Sequence, residues 1–228
     1  MSDIKHLFAV LALAASWSAF GAGGGPMPSG SPSMQTREPP SPEEQALAAY
    51  NAGVRGVEKG DGLLADAARQ ADTRKQQKLR GKAEDAFESA TKKFARATEL
   101  KPGMYEAWNY LGYSRRKLGR YDTALSAYDR ALSLKPNYAE AIEYRGHAYL
   151  GLNRLGEAKD AYLALFVSNR KLAASLLTAM QQWVGEHRNA VGVDSGAYDS
   201  FASWVNERSA IASQTAALTR EGAAAAWR

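Results

Sequence analysis

Parts of this chain repeat one another at an offset of 34 residues, and that period constrains the fold more than any other feature. The offset carries Pro102 onto Pro136, Lys101 onto Lys135, Leu100 onto Leu134, Ala97 onto Ala131 and Phe94 onto Tyr128. It carries Gly112 onto Gly146, Tyr128 onto Tyr162, and Ala90 onto Ala124 and then Ala158. Small, aromatic and proline residues therefore recur in register, at a length that suits a pair of short helices and their turn. One such pair cannot bury its apolar face alone, so it must stack on its neighbours.

The clearest copy is 105–138. Gly112 and Ala124 are small residues placed where the two helices of a hairpin would touch, and Ala131 is placed where the next hairpin would pack. Trp108, Leu111 and Tyr128 would fill the spaces between them, Gly119 would end the first helix, and Pro136 would stop the second. The set Trp108, Leu111, Gly112, Gly119, Tyr121, Ala124, Tyr128, Ala131 and Pro136 resembles the tetratricopeptide repeat. A second, weaker copy covers 139–172. It keeps Gly146, Tyr149, Ala158 and Tyr162 but departs from the family pattern at Arg145, Asn153 and Arg170.

Upstream, 86–102 reads as the second helix of another repeat, with Ala90, Phe94, Ala97 and Pro102. The stretch that the frame assigns to its first helix is charged and lacks the motif. Ala49-Tyr50-Asn51-Ala52-Gly53 carries it instead. The expectation is one repeat split by a helical insertion at about 63–82 that lengthens the hairpin, with Gly81 as a candidate bend. The fold class is thus all-α: an antiparallel helix-hairpin solenoid over 43–170, with two recognisable repeats and one split repeat.

Beyond 170 the pattern changes to an apolar stripe of Leu172, Leu176, Leu177, Met180, Trp183 and Val184. After a Gly-rich turn, Asp194 or Ser195 can cap a helix carrying Phe201, Trp204, Val205 and Ile211. These helices, over 171–217, are expected to cap the open end of the solenoid, with a flexible tail at 218–228. At the other end, Lys5 and His6 precede nine apolar residues, too few to span a bilayer, and Ala19-Phe20-Gly21 suits a signal-peptidase site. Residues 1–21 are read as a signal peptide and 22–42, with six of the eight prolines, as a disordered linker. These readings predict a periplasmic or secreted protein with no stable membrane anchor.

No constellation for chemistry is legible. Cysteine is absent, which removes thiolate catalysis, disulfides and cysteine-ligated zinc. Of the three histidines, His147 and His187 lie outside the leader, and neither has a partner at metal-ligand spacing. Neither a phosphate loop nor a serine-nucleophile elbow is present. The expectation is a non-catalytic scaffold or adaptor in the bacterial cell envelope, monomeric or a small oligomer, with no cofactor and no metal. Its partner would be a polypeptide of unspecified identity rather than nucleic acid.

The resemblance implies where that polypeptide would sit. Relatives of this kind line a concave groove with the first helix of each hairpin. The matching positions here are Glu106, Asn109, Tyr113, Arg116 and Lys117, then Glu140, Glu143, His147 and Leu150. Some family members hold a C-terminal carboxylate with lysines and asparagines. The corresponding slots hold Asn109, Tyr110, Tyr113, Glu140 and Tyr144, so that arrangement is not matched. A second reading starts from charge. The formal net charge is +5, and 74–101 holds nine basic and four acidic side chains, which accounts for the whole excess. Arg74, Lys75, Lys78, Arg80 and Lys82 are the candidates for contact with an anionic polymer or membrane surface.

Overall fold

The computed structural model describes residues 39–188 and 193–225. Over these residues the chain forms eight α-helices and no strand, all within the unit Pro40–Arg228. They are α1 (Pro42–Ala68), α2 (Thr73–Leu100), α3 (Tyr105–Lys117), α4 (Tyr121–Leu134), α5 (Ala139–Gly151), α6 (Leu155–Ser168), α7 (Arg170–His187) and α8 (Ser195–Ala225). The expected signal peptide and nearly all of the expected linker lie outside the described residues.

Local chemistry fixes where α1 starts. Ser41 accepts from the Glu44 backbone N–H at 3.2 Å, and the Glu44 carboxylate accepts from the Ser41 N–H at 2.8 Å. This reciprocal cap, with Pro42 in the first helical position, pairs N–H groups that have no partner within the helix. Asp72 caps α2 with a single bond, accepting from the Lys75 N–H at 3.0 Å.

The split repeat is joined by glycine–aromatic contacts. A β-carbon on Gly53 would come within 2.7 Å of the Phe94 ring, and one on Gly60 within 2.7 Å of the Phe87 ring. Between them, one on Gly56 would meet the Ala90 β-carbon at 3.1 Å. In the clear repeat, Gly112 meets Tyr128 in the same manner, at 2.6 Å. Gly53 and Phe94 are thus the counterparts of Gly112 and Tyr128, but 41 residues separate them rather than 16. The additional residues lengthen both helices, and Gly60 with Phe87 repeats the contact seven residues further along each helix. The hairpin turns at 69–72, and α2 runs through Gly81 as unbroken helix.

The turns between α3 and α4 and between α5 and α6 are equivalent. Gly119 has φ +73°, and Asn153, its counterpart 34 residues on, has φ 56°. Asparagine is the side chain that best tolerates the left-handed region, so this departure from the family pattern leaves the turn intact. The departure at Arg170 has a larger effect. Four residues, Lys135 to Tyr138, connect α4 to α5, whereas Asn169 alone separates α6 from α7. Asn169 ends one helix and caps the next, accepting from the Leu172 N–H at 3.1 Å.

Helix α7 replaces a fourth repeat. At Gly146 the atom nearest an added β-carbon belongs not to Tyr162, as the 34-residue frame would have it, but to Leu176 of α7 at 2.7 Å. Tyr162 turns to Phe166 and Trp204. Leu176, Leu177, Met180 and Trp183 of α7 and Phe201 and Val205 of α8 are buried with Ala158, Tyr162 and Leu165 of α6. Asp194 caps α8, accepting from the Ala197 N–H at 2.8 Å. The helix continues to Ala225, beyond 218 where the flexible tail was expected to begin. Residues 226–228 lie outside the described residues.

The stacking forms two layers. The first helices of successive pairs, α1, α3, α5 and α7, touch one another in turn, so they form the tighter inner layer. Their partners α2, α4 and α6 form the outer one.

Candidate functional site

The inner layer is faced with tyrosine. Tyr110 of α3 stacks on Phe94 with centroids 5.3 Å apart and meets Tyr50 of α1 edge-on at 5.8 Å. Tyr113 meets Tyr144 of α5 edge-on at 5.0 Å, and Tyr110 lies 6.5 Å from Tyr113. Aromatic contact therefore runs unbroken from α1 to α5. Burial pushes the hydroxyls of Tyr50, Tyr110, Tyr113, Tyr128 and Tyr144 above their ordinary titration range, so they are neutral donors and acceptors at physiological pH.

Charged groups are set among these rings. The Arg116 guanidinium lies 5.1 Å from the Tyr113 centroid and 5.7 Å from that of Tyr144. Its Nε and the Tyr128 hydroxyl are both sealed from solvent, and the two side chains act on each other. Arg116 has no carboxylate of the described residues within ion-pair distance. Its neighbour Lys117 is paired, with Asp61 Oδ1 at 2.9 Å. On α5, Glu143 is buried, and its Oε1 lies 3.7 Å from His147 Nε2. Burial lowers the His147 pKa, and the positive charges of Arg116 and Lys117 add to that, against the opposing pull of Glu143. Asn109 is 1% exposed, and its side-chain oxygen has no partner.

The nine residues expected to line the groove fall into different environments. Glu106, Arg116, Lys117, Glu140 and His147 keep partial exposure. Asn109 and Glu143 lie beneath that level. Tyr113 is 7% exposed and its hydroxyl donates to Asp61, so it ties α3 to α1 more than it offers surface. Leu150 packs against α6 and α7 in the apolar core and leaves the set of groove residues. Tyr50 and Asp61 were missed because the 34-residue frame misaligns α1. Counting from each hairpin glycine instead puts Tyr50, Asn109 and Glu143 at one position, three residues before Gly53, Gly112 and Gly146. Arg74, Lys75, Lys78, Arg80 and Lys82 are all exposed on α2, in the outer layer. No group of three or more potential metal ligands occurs among the described residues. No helix among them is long and apolar enough to cross a membrane.

Comparison with known proteins agrees on the repeat. Residues 105–138 match the tetratricopeptide repeat family. No curated protein matches the chain. Among solved structures, the first TPR of Spaghetti (RPAP3) bound to the HSP90 peptide SRMEEVD is 19% identical, with a TM-score of 0.46. The match covers 61% of this chain and 94% of that one. The second TPR domain of human RPAP3, in complex with the HSP70 peptide SGPTIEEVD, is also 19% identical, with a TM-score of 0.40. It covers 57% of this chain and 95% of that one.

Proposed function

Because 105–138 is a tetratricopeptide repeat and its neighbours stack on it as helix pairs, we propose that the protein is a non-catalytic scaffold that seats a partner polypeptide on its inner layer. One observation carries this reading. Arg116 is a guanidinium set between two tyrosine rings with no counter-ion among the described residues. An unpaired charge at low exposure is unfavourable unless something completes it. A partner's carbonyl or carboxylate oxygens would do so, while Tyr144 and Tyr110 offer flat apolar area at little entropic cost. The leader-like 1–21 supports a periplasmic or secreted location in a bacterial envelope, with the protein acting as a monomer or small oligomer.

Site-specific photo-crosslinking in cells tests the face. A photoreactive phenylalanine analogue at Glu106 on the inner layer is expected to trap a polypeptide, whereas the same analogue at Ser126 on the outer layer is not. Arg116→Ala should abolish the adduct without lowering helicity. Equal adducts from both positions, or an adduct indifferent to Arg116→Ala, would overturn the assignment. Fractionation of the producing cells, followed by sequencing of the mature N-terminus, tests the location.

A further inference from the structure

The outer layer carries a second surface. At about 100° of rotation per residue, Arg74, Lys75, Lys78, Lys82, Lys92 and Lys93 fall within an arc of about 100° on α2. Ala83, Phe87, Ala90 and Phe94 are buried on the opposite side of the helix. All six cations are exposed, and none forms an ion pair among the described residues. Some cations elsewhere are matched, as in Lys101 with Glu43, Arg145 with Asp129 and Arg154 with Glu157. Arg96, on the same arc, is paired with Glu99 at 3.3 Å. The six run about 28 Å along the helix at about 1.5 Å per residue. Lys117 and Arg120, at the end of α3, reach α1 and α2 at Asp61 and Glu88. The part of the hairpin bearing Arg74 to Lys82 extends past that level.

No ion pair among the described residues rewards this arrangement. Arg74, Lys78 and Lys82 are four residues apart, where like charges repel, and cations near a helix N-terminus oppose its dipole. Burial does not account for them, and neither does pairing. The residues therefore set a surface rather than support a helix. We propose that this ridge docks the protein reversibly on a lipid bilayer bearing anionic headgroups. The ridge is the outer side of one continuous helix, whose convex surface does not enclose a strand. Its aromatic residues, Phe87 and Phe94, are buried, which leaves no ring for a base to stack on. Long side chains fanning across the arc can all reach a plane at once. No apolar residue stands among them to insert, so contact is by charge alone and screened by salt.

Co-sedimentation of the full chain with vesicles tests the proposal. The vesicles are roughly equal parts phosphatidylglycerol and phosphatidylcholine, or phosphatidylcholine alone, at about 50 mM and about 300 mM salt. Binding is expected on the anionic vesicles only, and should largely vanish at the higher salt. Lys78→Glu, on the arc, should weaken it about tenfold, whereas Arg80→Glu, about 200° around the helix from Lys78, should weaken it less than about threefold. Both positions are exposed, and circular dichroism confirms that each variant folds. Absence of binding, equal binding to neutral vesicles, or equal loss from the two variants overturns the proposal. So does displacement by soluble polyphosphate at equal phosphate concentration, which would assign the ridge to a linear polyanion.

Discussion

The Tyr113 hydroxyl donates to Asp61 Oδ2 at 2.7 Å, linking α3 to α1 across 52 residues of sequence. Lys117, one turn on, forms an ion pair with the other oxygen of the same carboxylate at 2.9 Å. Asp61 is therefore a joint between the lengthened hairpin and the first regular repeat. Asp61→Ala should destabilise the protein by about 1–3 kcal/mol, because it leaves a buried hydroxyl without its acceptor. Asp61→Asn, which keeps an acceptor but loses the charge, should cost less. Urea denaturation followed by circular dichroism measures both.

Glycines in the α1–α2 hairpin separate close approach from mere presence. Gly53→Ala or Gly60→Ala drives a methyl group into a phenylalanine ring and should cost about 1–3 kcal/mol. Gly62→Ala and Gly81→Ala meet nothing within 4 Å and should stabilise by about 0.5–1 kcal/mol through helix propensity alone. Opposite signs within a single hairpin are the expected outcome of thermal melts on the four variants.

The turn at Asn153 has two roles. Its backbone is left-handed, and its side-chain oxygen accepts from Trp183 Nε1 of α7 at 3.3 Å. Asn153→Gly relieves the backbone but orphans the indole N–H, so the net change should stay within about 1 kcal/mol. Asn153→Ala loses on both counts and should cost about 2 kcal/mol. A melt in which Asn153→Ala matched Asn153→Gly would show that the backbone conformation contributes nothing.

Acid should act through His147. Its folded pKa is lowered below the ordinary 6.5, so the unfolded chain binds a proton more readily. The neutral side chain's contribution is complete above pH 6.5 and is lost as pH falls from there through the folded value. His147→Gln should flatten stability across that window. At the other extreme, the buried tyrosines hold their protons more tightly than the unfolded chain does, so stability should fall as pH rises past 10. Denaturant midpoints measured across pH give both limbs.

The cap is the last test. Leu176 fills the space at Gly146 and is fully buried, so Leu176→Ala should cost about 2–5 kcal/mol. Val167, 87% exposed on α6, should tolerate alanine with a change below about 0.5 kcal/mol. A comparable loss at the two sites in denaturant titrations would mean that α7 does not seal the solenoid.

Periodicity by itself determined the helical pairing of 105–138 and the class of fold. Gly112, Ala124 and Tyr128 must recur in register wherever two helices touch closely, and close contact leaves a mark on sequence. It also identified the second helix of the split repeat, because Phe94 and Ala97 keep the 34-residue frame. What it left open depends on contacts between residues far apart in the chain. The level of the hairpin turn, the partnership of Asp61 with Tyr113 and Lys117, the burial of Leu150 and the substitution of Leu176 for a fourth repeat were decided only by tertiary packing. An insertion shifts the frame without changing helical periodicity, and a side chain's exposure depends on which neighbour fills the space beside it. Sequence fixes the repeating contact, and the folded chain alone decides which face is left over.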